Sequence, residues 1–287
     1  MVSPWQTVIL AVAVVVAAPL VGGLLTGIDR KLSARLQSRW GPPIIQPFYD
    51  VAKLLRKETI VVRRSQNFYV YFFFVFMIFT TVLFFTGGDL LLTVFALTLA
   101  GIFLVLGAYK ASSPYSFIGA ERELILMMAY EPLLLFMAVG MYLETRSFIV
   151  RDIAAAPGVL ALSLPGLFIG MVIAVMFKMR KSPFDISASH HAHQEIVRGI
   201  TTEFSGKTLA LIEVAHWYET AVALGIVALF FAALPAVAVA AVAGVFFLVI
   251  LLDNVFARVK WQLALASAWI TAAALGVGNI LVVYFIR

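Results

Sequence analysis

The chain alternates between long apolar stretches and short polar segments. Eight of these stretches have about 17–25 residues, the length that an α-helix needs to cross a bilayer. They fall at 5–27, 68–86, 90–109, 124–143, 159–177, 208–232, 234–252 and 264–286. Trp5, Tyr109 and Trp261 lie near their ends, as is typical of membrane interfaces. The pattern predicts an all-α, polytopic integral membrane protein of about eight transmembrane helices, in a single domain over residues 1–287.

Charged residues are concentrated in alternate loops. When the loops are assigned in turn to two sides, 18 of the 21 Lys and Arg residues fall on one side. The other side has Arg146, Arg151 and Arg287. Because Lys and Arg are retained in cytoplasmic loops, both termini are predicted to lie outside. Loops 29–67 and 178–207 are then cytoplasmic and form one docking or cavity face.

Composition supports the membrane assignment and excludes several kinds of chemistry. Mean hydropathy is +1.02 and 63% of residues are hydrophobic, whereas only 13% are charged, which lies outside the range of soluble domains. The net charge of +6 follows from the loops, so nucleic acid is not an expected partner. The chain has no cysteine, which excludes disulfides and Cys-ligated zinc or iron–sulfur clusters within it. We therefore expect no cofactor in this chain.

The first cytoplasmic loop has a helical pattern of its own. Ile28, Leu32 and Leu36 recur every four residues beside a basic stripe, so the first helix is predicted to continue until the segment 41–43, Gly-Pro-Pro, ends it. After Pro47, a short helix is predicted in the membrane interface. Its apolar face consists of Phe48, Val51, Ala52 and Leu55, and its polar face of Asp50, Lys53 and Lys57. Two interpretations remain open: a basic anchor on anionic lipid, or the floor of a site or docking surface.

The segment 178–219 has a concentration of polar chemistry, including all four histidines. His190, His191 and His193 lack the HExxH spacing that places two imidazoles on one helix face, so no metal site is predicted. Proton-relay or hydrogen-bonded structural roles fit histidine better, because it titrates near neutral pH. Glu195 and Glu203 follow in the same loop.

Acidic residues within the apolar spans indicate an ion path, because ionisable groups at membrane depth are expensive. Glu213, His216 and Glu219 are spaced by three residues, which places them on one face of the sixth span. Glu131 lies about two turns inside the fourth span, just before Pro132, whose missing N–H loosens the preceding turn. The alternative for Glu131 is a structural hydrogen bond to a neighbouring helix. Glu121 and Glu123 are equally well explained as an interfacial acidic pair.

Three motifs resemble the mitochondrial subunit 1 family of respiratory complex I, whose bacterial members are the H-type subunits. They are DRKLSARLQSRWGPPIIQPFYDVAKLLRKE in the first loop, AYEPLLL in the fourth span, and SPFDISASHHAHQEIVRGITTEFSGKTLAL before the sixth span. The resemblance covers most of the chain, with the motifs in the family's order. It implies that Glu131, Asp185, Glu195, Glu203 and the position of His216 belong to an acidic channel leading into the membrane arm. It also implies a cavity lined or supported by Arg30, Lys31, Arg35, Gln37, Arg39 and Asp50.

Departures from that pattern make the chain similar to the membrane anchor of group 4 energy-converting nickel–iron (NiFe) hydrogenases, such as the Ech and formate hydrogenlyase types. Gly-Pro-Pro stands at 41–43, a Ser-His-His-Ala-His run follows the PFD motif, and His216 replaces a usual glutamate. This resemblance implies NiFe hydrogenase large and small subunits that contain the Ni–Fe centre and iron–sulfur clusters. It further implies antiporter-like membrane subunits, lipid, and a ferredoxin or a formate or CO dehydrogenase module as partners, in a prokaryotic cell membrane.

The expected function is therefore that of a subunit without catalytic activity of its own. It would dock a peripheral redox module and couple electron transfer to proton or sodium movement through buried Glu and His residues. Three alternatives remain at this point: a quinone-site subunit of an NADH:quinone oxidoreductase, a stand-alone ion transporter, and a purely structural anchor. A transporter of that kind would show inverted repeats with broken helices, and no two halves of the chain carry matching motifs.

Overall fold

Helices account for nearly all of the regular structure in the computed structural model, which describes residues 4–60, 64–184, 187 and 197–286. Seven helices within these ranges are long and apolar enough to cross a membrane. They are α1 (Pro4–Leu36), α3 (Arg64–Phe85), α4 (Leu90–Lys110), α5 (Pro114–Thr145), α9 (Gly206–Leu229), α10 (Pro235–Val255), and the last helix, which consists of α11 (Trp261–Thr271), a π-helical turn (Ala272–Val277) and α12 (Gly278–Ile286). The prediction of an all-α polytopic membrane protein is confirmed.

The fifth predicted span, 159–177, differs from the other seven. It is divided into the one-turn helix α7 (Leu160–Ser163) and the 14-residue helix α8 (Pro165–Lys178), with non-helical backbone at Leu164. Pro165 begins the new helix, where its missing N–H costs nothing. At 1.5 Å per residue α8 is about 21 Å long, well short of the roughly 30 Å of hydrocarbon in a bilayer.

The first loop is ordered as two helices. α1 continues to Leu36 as predicted, but it ends before the Gly-Pro-Pro segment, with Ser38 in a left-handed conformation at φ 55°. α2 (Gln46–Arg56) then packs against α1 and α9. Its Phe48 ring lies 5.0 Å from the Trp217 ring, centroid to centroid. The predicted apolar face was wrong at Leu55, which is 48% exposed, whereas Leu54 packs inward.

α9 is the central helix of the bundle and packs against α1, α2, α3, α8 and α10. α1 approaches it closely at Gly22, where a Cβ atom would overlap the Trp217 carbonyl oxygen. Since successive spans run antiparallel, α1, α4, α8 and α10 finish at the end of the bundle where α5, α9 and α11 begin. This end, which we call the basic end, contains α2 and the segment 178–207.

The last helix is fixed to α5 at the position of Pro132. A proline in a helix interior leaves the carbonyl four residues earlier without its amide partner, here the carbonyl of Met128. The indole N–H of Trp269 donates to that carbonyl oxygen at 3.2 Å. The π-helical turn follows one turn later, beside α5 and α8.

Candidate functional site

Three cations at the end of α8 organise the centre of the basic end. They are Lys178, Arg180 and Lys181. Because α8 is short, they lie inside the bundle and not at its surface, and Lys178 is 7% exposed. Arg180 has a left-handed backbone, with φ 49°. Buried cations need anionic partners, and each of the three has at least one.

Arg180 connects α5 to α9. Its Nη2 donates to Glu123 at 2.7 Å, and its Nη1 lies 2.9 Å from Nδ1 of His216 and 3.6 Å from Glu219. The hydroxyl of Ser187 donates to the other oxygen of Glu123. Burial opposes the charge on Arg180, but the two carboxylates outweigh it, so the pKa of Arg180 lies above its ordinary value.

Lys178 and His216 hold Glu219 between them. Lys178 Nζ donates to Glu219 at 3.0 Å and lies 4.3 Å from the centre of the Tyr130 ring. His216 Nδ1 is 3.1 Å from the other carboxylate oxygen. Because arginine only donates, we assign the neutral tautomer in which Nδ1–H donates to Glu219 and Nε2 accepts from Arg180. The five groups Glu123, Lys178, Arg180, His216 and Glu219, which we call the inner cluster, form a closed network.

Lys181 makes a separate connection between α1 and α10. Its Nζ lies 2.7 Å from Asp29 and 3.0 Å from Asp253, and the backbone N–H of Ser182 donates to Asp253 at 2.8 Å. Burial would lower the pKa of Lys181, yet the two aspartates outweigh that effect and raise it. The segment after α8 therefore attaches four helices to one another through ion pairs.

These ion pairs form one wall of a large cavity at the basic end, with a volume of about 1310 Å³. Its lining extends along α9 as far as Thr220, which is about 21 Å from the start of that helix. The lining includes eight basic and three acidic side chains: Arg30, Arg39, Arg122, Lys178, Arg180, Lys181, Arg258 and Lys260, and Asp29, Glu213 and Asp253. The cavity is thus strongly cationic, and it reaches to membrane depth beside the inner cluster.

Comparison with known proteins identifies the family. The family model described as NADH dehydrogenase matches residues 8–284. The chain belongs to this family. Hydrogenase-4 component C of Escherichia coli (strain K12) is 31% identical over 73% of this chain and 70% of its own. A second H-type subunit of the NADH-quinone oxidoreductase of Syntrophobacter fumaroxidans is 29% identical over 78% of this chain and 75% of its own.

A solved member of a larger assembly has the same fold. One chain in the structure of the membrane-bound sulfane sulfur reductase, an archaeal respiratory membrane complex, superposes with a TM-score of 0.82. It is 26% identical, and the match covers 95% of this chain and 99% of that chain. The family resemblance inferred from the three motifs is thereby confirmed.

The residues that the family resemblance implied for the cavity divide into two groups. Arg30, Gln37 and Arg39 line it. Asp50 supports it from α2, where it accepts from Arg30 at 2.6 Å and from Gln46 at 3.0 Å. Burial disfavours the charged Asp50 carboxyl, but these hydrogen bonds outweigh burial, so the pKa of Asp50 is below its ordinary value. Lys31 and Arg35 are exposed and lie outside the cavity lining.

The implied ion-path residues are only partly brought together. Glu213 and His216 line the cavity, and Glu219 lies directly behind His216, as their spacing predicts. Glu131 is hydrogen-bonded to Thr98 of α4, and its Oε1 is buried without a partner among the described residues. Glu203 lies outside the cavity lining, where its carbonyl accepts from Gln66. Asp185, His190, His191, His193 and Glu195 lie outside the described residues.

Several members of the site were not predicted. Lys178, Arg180 and Lys181 were counted as ordinary cytoplasmic charges, and Glu123 was left open as an interfacial residue. The division of the fifth span is the signal that could have identified the cations, because a helix that starts at Pro165 is too short to carry Lys178 out of the membrane. Within the described ranges, no cluster of three or more His, Asp or Glu residues could hold a metal ion.

Proposed function

We propose that this chain is the membrane-embedded coupling subunit of a complex I-like respiratory complex. It docks a peripheral redox module at the basic end and links electron transfer to proton or sodium movement. The observation that carries the proposal is the inner cluster, a closed set of buried charges that forms the wall of a cavity open toward the docking face.

The inner cluster makes such coupling electrostatically sensible. Its two carboxylates and two cations balance while His216 is neutral, so a proton on His216 adds one uncompensated buried charge. A negative charge arriving about 10 Å away would favour that proton by about 1.7 kcal/mol at an effective dielectric constant of ~20. This corresponds to roughly an 18-fold change in the proton-binding equilibrium of the cluster. Reduction of a docked redox centre would therefore draw a proton from the cavity.

We infer further that the complex is of the NiFe hydrogenase type. The hydrogenase-4 relative, the histidine at position 216 and the Gly-Pro-Pro segment at 41–43 support this choice. The large and small hydrogenase subunits would supply the Ni–Fe centre and the iron–sulfur clusters, since this chain has no cysteine to bind a cluster. Antiporter-like subunits would extend the ion path through the membrane. The electron source would be ferredoxin or a formate or CO dehydrogenase module.

The second candidate is a quinone-site subunit of an NADH:quinone oxidoreductase, which the H-type relatives favour. Gentle purification of the tagged chain with its copurifying subunits separates the two candidates. Hydrogen evolution and quinone reduction are measured on the same sample. Hydrogen activity with Ni–Fe and iron–sulfur subunits supports the hydrogenase type. Quinone reduction alone supports the second candidate, and a chain that purifies without partners contradicts both.

Ion coupling is tested on the intact complex in proteoliposomes. His216→Gln and Glu131→Gln are expected to lower the number of ions moved per electron while leaving electron transfer active. Glu121→Gln is the matched control, because Glu121 is exposed and accepts from Tyr109 at 2.7 Å, away from the cavity. An unchanged ratio in both test variants would contradict the role proposed for these groups, whatever the redox partner.

A further inference from the structure

A second, shallower pocket lies where the end of α2 meets the start of α9. Its volume is about 580 Å³, and it shares no lining residue with the large cavity. The lining consists of Leu55, Arg56, Lys57, Glu58, Thr59 and Lys207. We call this site the corner pocket.

Hydrogen bonds hold the two sides of the corner pocket together. The Ser205 hydroxyl accepts from the Ile60 N–H and donates to the Ile60 carbonyl, each at 2.9 Å. The Lys207 N–H donates to the Thr59 hydroxyl at 3.2 Å. Gly206 allows this approach, since its φ is 52° and a Cβ there would lie 2.6 Å from the Glu58 carbonyl oxygen. The pocket is therefore a fixed feature of the fold, although no helix connects its sides.

The charge of the corner pocket is positive. Arg56, Lys57 and Lys207 line it against the single carboxylate Glu58. No ion pair among the described residues engages any of these three cations. Lys53 adds a fourth exposed cation one turn earlier on α2. Since the Lys207 N–H is already bonded to Thr59, a ligand here would be recognised by side-chain charge.

The location of the pocket adds a second requirement on its ligand. α9 and α3 are both long enough to cross the membrane, and they begin at Gly206 and Arg64, on either side of the pocket in the chain. The pocket thus lies where spanning helices leave the apolar layer. Two large apolar side chains flank it in the open, Leu55 at 48% exposure and Ile60 at 76%. Exposed apolar groups beside cations at this level match the two parts of a phospholipid.

We propose that the corner pocket binds an anionic phospholipid. The lipid phosphate is held by Arg56, Lys57 and Lys207, and the acyl chains cover Leu55 and Ile60. The headgroup phosphate alone could come from free phosphate, but free phosphate gives no reason for the two exposed apolar side chains. The site lies outside the cavity and does not depend on the redox role of the chain.

Native mass spectrometry of the full chain, released from vesicles with equal phosphatidylglycerol and phosphatidylcholine, tests the proposal. Wild type is expected to retain phosphatidylglycerol selectively. Lys57→Gln/Lys207→Gln should lose roughly fivefold of that selectivity for each lysine removed, in line with about 1 kcal/mol per cation near an anionic surface. Lys57→Arg/Lys207→Arg should retain it. Lys110→Gln is the matched control, an exposed lysine at the end of another spanning helix.

Two further arms separate the occupants. Leu55→Ser should weaken lipid retention, whereas a free-phosphate site would be indifferent to it. Inorganic phosphate at millimolar concentration should leave the bound lipid in place. Equal retention in wild type and the glutamine variant, displacement by phosphate, or crosslinking of Lys207 to a copurified protein subunit would each overturn the proposal.

Discussion

Replacing Arg180 tests how strongly the inner cluster depends on its central cation. Arg180→Gln removes the partner of Glu123 at 2.7 Å and the donor to His216, and leaves Glu123 with Ser187 among the described residues. Removing one member of a buried ion pair costs about 3–5 kcal/mol, because the other charge remains without compensation. For a chain of this size, that loss corresponds to a fall of roughly 10 °C in the unfolding midpoint.

The measurement is thermal unfolding of the purified protein in detergent, followed by intrinsic tryptophan fluorescence at a fixed heating rate. The double variant Arg180→Gln/Glu123→Gln removes both charges, so it is expected to recover about half of the loss or more. Arg198→Gln serves as the control, since Arg198 is exposed and has the same left-handed backbone, with φ 59°. Its midpoint should change little.

The reasoning is refuted if the effects of the two substitutions simply add. A coupling energy below about 0.5 kcal/mol between positions 123 and 180 would mean that their pairing does not contribute to stability. A fall in the Arg198 control equal to that of Arg180→Gln would instead trace the effect to backbone conformation. Either outcome would also remove the physical basis for treating the inner cluster as a unit.

Other contacts support three more predictions. The lowered pKa of Asp50 means that the detached α2 binds protons more tightly, so the stabilisation is present above the ordinary value of 3.8 and is lost as pH falls through the lower folded value. A spin label at position 53 should keep its mobility from pH 7 to 5 and gain mobility only below 3.8, whereas Asp50→Asn should increase it already at pH 7. Gly22→Ala should lower the unfolding midpoint because its Cβ meets backbone of α9, whereas Gly244→Ala, which has no atom within 4 Å of the added Cβ, should leave it unchanged or raise it; equal effects in both would contradict close packing at Gly22. Trp269→Phe should cost about 1 kcal/mol by removing the donor to the Met128 carbonyl, and much less in a Pro132→Ala background, where an amide N–H restores the helical bond; the same loss in both backgrounds would assign the effect to packing of the indole ring.

Much of the fold could be predicted from the sequence because bilayer thickness fixes the length of an apolar span. Seven of the eight predicted spans correspond to helices long enough to cross. The eighth prediction placed a full span over 159–177 because mean hydropathy is insensitive to one proline. Leu164 and Pro165 interrupt the hydrogen-bond ladder without changing the apolar character of the segment.

The site was harder to predict than the fold. The spacing of Glu213, His216 and Glu219 indicated their common face, because helical periodicity is local. The pairing of Arg180 with Glu123 joins residues 57 positions apart, and no local pattern reports it. A cation next to a membrane span is usually a cytoplasmic anchor, so Lys178 was taken as one. Only the depth at which α8 ends distinguishes a buried cation from an anchoring one.

The shortness of α8 has a consequence for how the protein experiences the membrane voltage. Water entering the large cavity brings the potential of its own side to the wall formed by the inner cluster. Near α8 the voltage then falls across about 21 Å of low-dielectric material and not across the full ~30 Å, so the local electric field is about 1.4-fold stronger. A charge carried from His216 to the far side crosses most of the voltage, at about 2.3 kcal/mol for each 100 mV. The back-pressure of an energised membrane would therefore be concentrated at this one thin section of the bundle.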